Sequence, residues 1–152
     1  MLVSTIDMNQ TYTIKEIPDI ARELLAFITE KKSANHATLV TLSGDLGAGK
    51  TTLTQEIAKQ LGVTHSVTSP TFVIMKQYPT QNSIWSTLVH IDAYRFQNAD
   101  ELIRLHWEEV LSSSENLIIL EWPEMVPSAI PAYAHTVKLT HVSEDIREIS
   151  FL

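Results

Sequence analysis

The chain of 152 residues contains no cysteine, which excludes disulfide bonds and thiolate-ligated metal sites. It also contains no apolar run long enough to cross a bilayer. Residues 1–10 lack the basic region followed by an apolar stretch that a signal peptide requires. Together these absences predict a cytoplasmic protein that has no membrane partner.

Basic residues are fewer than acidic ones. The 11 lysines and arginines are outnumbered by 18 aspartates and glutamates, which gives a formal net charge of −7. Extensive nucleic-acid binding needs a cationic surface, whereas the only short basic cluster, Lys31-Lys32, stands beside Glu30. The charge balance therefore predicts no stable direct binding to nucleic acid, so that any role in nucleic-acid chemistry would pass through a partner protein.

Glycine is scarce, yet three of the four glycines lie in one segment, Gly44-Asp45-Leu46-Gly47-Ala48-Gly49-Lys50-Thr51. The segment fits G-x-x-x-x-G-K-[ST], the P-loop pattern that cradles nucleotide phosphates. Its glycines let several backbone N–H groups approach one anion. Lys50 can reach the β- and γ-phosphates, and the Thr51 hydroxyl can coordinate the Mg²⁺ that bridges them.

The sequence on either side of this segment supports the P-loop interpretation. Ala37–Leu42 is a short apolar, β-branched run typical of a buried strand. Thr51–Leu61 has apolar residues at helical spacing, and Gly62 stands where a helix would end. A strand, a glycine loop and a helix in this order direct a helix N-terminus at phosphate. The alternative is an ordinary glycine-rich turn with a solvated Lys50.

The rest of the pattern predicts one domain over residues 1–152. Its fold class is a P-loop NTPase-like three-layer α/β/α architecture with a mixed parallel and antiparallel sheet. Antiparallel hairpins are expected in the middle and at the end of the chain. Further strands are predicted at Thr11–Lys15, Thr71–Tyr78, Ser86–Asp92, Leu117–Leu120, His135–His141 and Ile146–Leu152, and further helices from Ile17 to near Ser33–His36 and, opened by a capping box at Asn98 and Glu101, at Leu102–Leu111.

Two carboxylates follow apolar strands and are candidates for catalysis. Asp92 ends one strand and Glu121 ends another. A P-loop ATPase needs an acid near the Mg²⁺ and a group that orients the attacking water, and such groups lie at the carboxyl ends of central strands. The spacing leaves open which of the two serves the metal and which serves the water.

Several further residues have a functional and a structural interpretation. The loop Thr68-Ser69-Pro70-Thr71 fits either a γ-phosphate sensor or a plain turn. Arg95 fits either transition-state stabilisation or a structural ion pair, which is the more frequent role. Trp122 could stack near the nucleotide or a partner, although core packing is more common for tryptophan.

With these residues in view, the chain resembles the bacterial TsaE (YjeE) family, the small ATPase subunit of the machinery that makes N6-threonylcarbamoyladenosine at position 37 of tRNAs reading codons that begin with A. The P-loop alone would not identify a family. The resemblance lies in the order of several motifs: Gly44 to Thr52, Thr68-Ser69-Pro70-Thr71-Phe72, His90-Ile91-Asp92-Ala93-Tyr94-Arg95, Asp100-Glu101-Leu102 and Leu120-Glu121-Trp122.

The resemblance implies roles for individual residues. Thr51 and Glu121 would be associated with Mg²⁺, Asp92 would be the second acid needed for hydrolysis, and Lys50 would hold the phosphates. ATP or ADP would also contact the remaining residues of the loop, Trp122 and, near the adenine, the first strand. These implied contacts are Asp45, Leu46, Gly47, Ala48, Gly49, Thr52, Thr11 and Thr13, with Thr68, Ser69 and Thr71 as switch-like residues. The implied partners are the TsaB and TsaD proteins, with tRNA reached through their complex.

One departure from the family pattern concerns the helix after Asp100. Family members usually have a glycine a few residues after the Glu-Leu pair, which breaks the helix, whereas this chain has His106.

The rival functions are a small-molecule kinase, a GTPase and a nucleotide-gated binding module. The four arginines show no spacing typical of a kinase lid, and no N-K-x-D motif indicates guanine specificity. The binding module differs from the ATPase mainly in not requiring hydrolysis.

Overall fold

The computed structural model describes residues 9–68 and 74–152, which form a seven-stranded mixed sheet between helices. The strands are β1 (Asn9–Thr13), β2 (Thr38–Ser43), β3 (Met75–Pro79), β4 (Thr87–Asp92), β5 (Asn116–Glu121), β6 (His135–His141) and β7 (Ile146–Phe151). The helices are α1 (Ile17–Glu30), α2 (Lys50–Gln60), α3 (Ala99–Ile103) and α4 (Trp107–Ser112). None of the helices in the described ranges combines the length and the apolar character needed to cross a membrane.

The strand order is β1-β7-β6-β2-β5-β4-β3. The four central strands, β6, β2, β5 and β4, run parallel to one another. The outer strands pair antiparallel, as β3 with β4, β6 with β7, and β1 with β7. Both predicted hairpins and the mixed sheet are therefore confirmed.

Helices cover both faces of the sheet, as the three-layer prediction requires. Successive residues of a strand point to opposite faces, and β5 shows this clearly. Leu117 and Ile119 belong to the core under α1 and α2. Ile118 and Leu120 belong to the core under α3 and α4. Because both faces of this strand are buried, its sequence is continuously apolar rather than alternating.

The predicted single helix Leu102–Leu111 is wrong, because the chain breaks at His106. His106 has a φ of 59° and separates α3 from α4. Leu102 and Trp107 are both buried, yet residues five apart in a continuous helix would point about 140° away from each other. The left-handed residue reorients the chain so that both side chains reach the sheet.

Other element boundaries also differ from the prediction. β1 ends at Thr13 because the Glu16 carboxylate accepts hydrogen bonds from the Thr13 backbone and hydroxyl and closes a short 3₁₀ turn. α1 ends at Glu30, before Ser33–His36, since the last residue that it buries is Ile28. In the predicted strand Thr71–Tyr78, residues 71–73 lie outside the described residues. The capping bond of Glu101 goes to the backbone of Gln97, one residue before the cap Asn98.

We predict that replacing His106 with glycine raises the free energy of unfolding by about 0.5–1 kcal/mol, because glycine adopts a positive φ without Cβ strain. Urea unfolding followed by circular dichroism measures the change. His65→Gly is a matched control, since His65 is also exposed but its φ is not positive. A His106→Gly variant no more stable than the wild type would contradict strain at this residue.

Candidate functional site

The parallel strands bring the P-loop and both candidate acids to one edge of the sheet. The P-loop leaves β2 at its carboxyl end and enters α2 at Lys50. In the register of the parallel strands, Leu42 lies opposite Glu121, and Glu121 lies opposite Asp92. The backbone N–H of Trp122 also donates to the Leu42 carbonyl, 3.1 Å away. Sequence-distant groups therefore meet at the edge where ligands bind in parallel sheets.

Two glycines give the P-loop its shape. Gly44 has a φ of 143°, and a Cβ atom at this position would lie 2.3 Å from the carbonyl oxygen of Leu139 in β6. Gly49 has a φ of 100° and stands at the N-cap of α2. Both conformations favour a residue without a side chain. The loop can therefore pass close to β6 and point the first N–H groups of α2 toward an anion.

Lys50 is enclosed by the loop that carries it, with 5% of its surface exposed. Its Nζ donates to the carbonyl oxygens of Gly44 at 2.5 Å and Asp45 at 3.0 Å. The same atom lies 4.4 Å from the centre of the Trp122 ring, a cation–π distance. Burial lowers the pKa of Lys50, while the nearby carboxylates, led by Glu121, oppose that shift.

Glu121 stands between a hydroxyl and an imidazole. The Thr51 hydroxyl donates to Oε1 of Glu121 over 3.4 Å. Nε2 of His90 lies 2.5 Å from Oε2 of Glu121. Both Glu121 and His90 are buried, at 2% and 0% exposure. The sequence predicted Glu121 as a candidate acid but assigned no role to His90.

Asp92 lies beside Glu121 and faces the cavity. Its Oδ1 accepts a hydrogen bond from the Tyr94 backbone N–H at 2.9 Å. This bond holds the carboxylate at the strand end, where the chain turns away from the sheet. Tyr94 in turn packs on Trp122, with ring centres 4.9 Å apart. Both acids are thus at the site, in different surroundings.

The cavity at this edge has a volume of about 300 Å³. Its walls combine the P-loop residues Leu46, Gly47, Gly49, Lys50, Thr51 and Thr52, the acids Asp92 and Glu121, Trp122, and a far side made of Tyr12, Ile14, Ile17 and Arg147. Apolar and aromatic walls with a few converging polar groups are typical of small-molecule sites.

The far side of the cavity differs in detail from the expected Thr11 and Thr13, which are not among the lining residues. The Thr13 hydroxyl instead donates to Glu16. Tyr12 lies opposite Arg147 in the pairing of β1 with β7. Burial raises the pKa of Tyr12, and Arg147 partly opposes that rise. The sequence could have indicated Tyr12 as a site residue, because it is an aromatic residue between two threonines in a predicted edge strand. No feature of the sequence indicated Arg147.

The remaining predicted site residues lie as follows. Leu46 is 72% exposed, and Ala48 of the same loop is buried. The Thr68 hydroxyl accepts a hydrogen bond from Nζ of Lys76 at 3.2 Å. Arg95 is exposed and does not line the cavity. The other predicted switch-like residues, Ser69 and Thr71, lie outside the described residues.

Mg²⁺ prefers oxygen ligands, and few side chains of this site supply them. Across residues 9–68 and 74–152, no group of three or more His, Cys, Asp or Glu side chains could hold a metal ion. A P-loop site does not need one, because nucleotide phosphates and water supply most of the ligands. The Thr51 hydroxyl and Glu121 carboxylate are 3.4 Å apart, and these two oxygen groups fit the protein's share of such a site.

The sheet order, the loop and the adjoining acids define a P-loop nucleotide-binding protein. The family model for "Threonylcarbamoyl adenosine biosynthesis protein TsaE" matches residues 11–149. The chain therefore belongs to the TsaE family.

Relatives with the name "tRNA threonylcarbamoyladenosine biosynthesis protein TsaE" agree with this assignment. One from Bacillus subtilis is 33% identical over 93% of this chain and 82% of its own length. One from Streptomyces coelicolor is 48% identical over 57% of each chain, which is less than two thirds of that relative. A crystal structure of Bacillus subtilis YdiB superposes with a TM-score of 0.67 at 27% identity, covering 97% of this chain and 86% of that one.

We predict that Gly44→Ala is far more harmful than Gly47→Ala. A Cβ at Gly44 meets the Leu139 carbonyl, whereas a Cβ at Gly47 has no atom within 4 Å of it. Both carry positive-φ strain, so Gly47→Ala should destabilise by about 1 kcal/mol and Gly44→Ala by about 3 kcal/mol or more. Thermal and urea unfolding test this difference. Equal losses in the two variants would contradict the close approach of the loop to β6.

We predict that ADP changes the tryptophan fluorescence, because phosphates would draw the Lys50 ammonium away from the Trp122 ring. Trp85 and Trp107 are buried, and their indole N–H groups are bonded to Thr38 and Ala129. Trp122→Phe should therefore abolish the response. Titration with ADP, alongside calorimetry to verify binding, tests this. A response that persists in Trp122→Phe would contradict the assignment to Trp122.

Proposed function

We propose that this chain is the ATP-binding and ATP-hydrolysing subunit required for N6-threonylcarbamoyladenosine formation at position 37 of tRNAs that read codons beginning with A. Family membership supports the pathway. One structural observation carries the proposed activity: Thr51, Asp92 and Glu121 come together beside a P-loop whose lysine is already buried in the site. We further propose that the chain acts in the cytoplasm as one ATPase domain.

Each group of the site has a task in this proposal. The loop N–H groups and Lys50 hold the β- and γ-phosphates. The Thr51 hydroxyl and the Glu121 carboxylate would hold Mg²⁺. Bound Mg²⁺ would supply neutralisation of phosphate charge. The Asp92 carboxylate, fixed by the Tyr94 N–H, orients the attacking water. Trp122 and the far side made of Tyr12, Ile14, Ile17 and Arg147 exclude solvent from the nucleotide.

Hydrolysis by the isolated chain is expected to be slow. Of the arginines that the structure describes, Arg147 lines the cavity, and its Nη1 is occupied by backbone carbonyls of Ser143, Glu144 and Ile146. A cation supplied by a partner can accelerate phosphoryl transfer. We propose TsaB and TsaD as these partners, with the threonylcarbamoyl transfer carried out by TsaD. ATP hydrolysis would then support turnover of the complex, and tRNA would be contacted through it.

The test is to deplete the protein in its host and to measure threonylcarbamoyladenosine in bulk tRNA by nucleoside mass spectrometry. Wild type should restore the modification, whereas Lys50→Ala should not, because loss of the phosphate contact should lower ATP affinity about 100-fold or more. Lys59→Ala is the matched control, since Lys59 is an exposed lysine on the same helix and should restore it fully. An unchanged level under verified depletion would overturn the proposed pathway.

Glu121→Gln separates hydrolysis from binding. The amide keeps the shape of the side chain but loses its charge, so the turnover number of the assembled complex should fall about 100-fold while ATP affinity changes less than about threefold. The modification should then not be restored. Full restoration by Glu121→Gln would favour the nucleotide-gated binding module, in which ATP only sets the shape of a partner surface.

A further inference from the structure

We propose that His90 is a positioning residue, whose imidazole holds one oxygen of Glu121 so that the other faces Thr51 and the metal side of the site. This inference rests on the proposed function, because it assigns how the metal-side acid is oriented. His90 itself does not line the cavity. It therefore acts through Glu121 and not on the nucleotide.

The register of two strands places the imidazole within reach of the carboxylate. In β4, Leu88 faces the core under α1 and α2, and so His90 and Asp92, two and four residues later, share that face. In β5, Glu121 shares the same face with Ile119. His90 lies opposite Ile119, so Glu121 is its diagonal neighbour. Long side chains reach across such diagonals.

The contact with Glu121 identifies which nitrogen of the imidazole donates. Nε2 lies 2.5 Å from Oε2 of Glu121. Nδ1 is buried and has no hydrogen-bond partner among the residues that the structure describes. An ionised carboxylate accepts hydrogen bonds and has no proton to donate. The proton of this hydrogen bond therefore belongs to Nε2, which donates to the carboxylate.

The hydrogen bond from His90 gives the two carboxylate oxygens of Glu121 different partners. Oε2 is held by the imidazole, and Oε1 faces the Thr51 hydroxyl over 3.4 Å. Because Glu121 is 2% exposed, bulk water cannot take the place of the N–H donor. Without the imidazole, the carboxylate would be free to rotate away from Thr51. Groups behind a metal ligand orient it in this way, and their loss typically lowers metal affinity or activity about 10- to 100-fold.

A purely structural role for His90 predicts a different experimental result. If the imidazole only fills the core and satisfies Glu121, its removal lowers the free energy of unfolding without changing the metal affinity of the molecules that remain folded. The positioning role requires a change at the metal that survives correction for the folded fraction. It also requires recovery by a side chain that donates from the same place.

The experiment compares His90→Leu, which removes the donor, with His90→Gln, whose amide N–H can reach the Nε2 position. Electron paramagnetic resonance measures the affinity of Mn²⁺ for the ADP-loaded protein, and steady-state kinetics in the presence of TsaB and TsaD give kcat and KM for ATP. His90→Leu should weaken Mn²⁺ binding and lower kcat about 10- to 100-fold. KM and metal-free ADP affinity should change less than about threefold, because the P-loop is untouched. His90→Gln should recover most of the loss.

The Glu121→Gln background supplies the control. An imidazole that acts through the carboxylate has no further effect once the carboxylate is gone. The double variant with His90→Leu and Glu121→Gln should therefore bind Mn²⁺ with the same affinity as Glu121→Gln alone. Should His90→Leu fail to fold, His90→Asn takes its place, since its amide is too short to reach Oε2.

Wild-type Mn²⁺ affinity and kcat in the donor-free variant would overturn the positioning role. Loss of both that His90→Gln does not recover would also overturn it. A wild-type protein that binds Mn²⁺ with ADP but hydrolyses no ATP contradicts the proposed function instead. In that case the metal affinities alone still decide the role of His90.

Discussion

The parallel pairing of β2 with β5 is the constraint on which the site depends. It sets Leu42 opposite Glu121, and it is continued by the hydrogen bond from Trp122 to Leu42. The strand that precedes the P-loop and the strand that ends in Glu121 therefore meet in a fixed register, since a slip of one residue would turn Glu121 to the other face of the sheet. Pairing of β5 with β4 then brings Asp92 to the same edge.

Neighbouring groups of the P-loop and the adjoining strand hold the Lys50 ammonium. Lys50 has given up most of its hydration, and it is held instead by two loop carbonyls, an indole face and the field of nearby carboxylates. A buried charge is tolerated only when such partners replace water. A phosphate that binds here must compete with these partners, and part of its interaction energy goes into releasing them.

Local patterns predicted most of the fold, because the determining signals span only a few residues. The apolar run of β5, the glycine spacing of the P-loop and the alternation in β6 and β7 were each sufficient to assign an element. The break at His106 was not predictable in this way, since it arises from the need to bury Leu102 and Trp107 against the same sheet. Burial of this kind is a tertiary requirement and overrides helix propensity.

The candidate site was predictable to the extent that it lies at strand ends. Glu121 and Asp92 follow apolar runs, and the P-loop has its own motif, so these residues could be named from sequence. The positions of His90 and Arg147 depend on the register between strands that are distant in sequence. No local pattern contains that register. Tyr12, rather than Thr11 or Thr13, lines the cavity, because the alternation of an edge strand fixes which side chains face inward only when its partner is known. Ile14, which also lines the cavity, lies in the 3₁₀ turn after the strand.

The pairing of β1 with β7 has a consequence for biosynthesis. Tyr12 stands opposite Arg147, and both form the far wall of the cavity. This wall joins residues more than 130 positions apart. Chains grow from the amino end, and long-range pairing waits for its later partner. A nascent chain that has already formed β2, the P-loop and β5 thus still lacks this wall, and the cavity is completed only after β7 has left the ribosome.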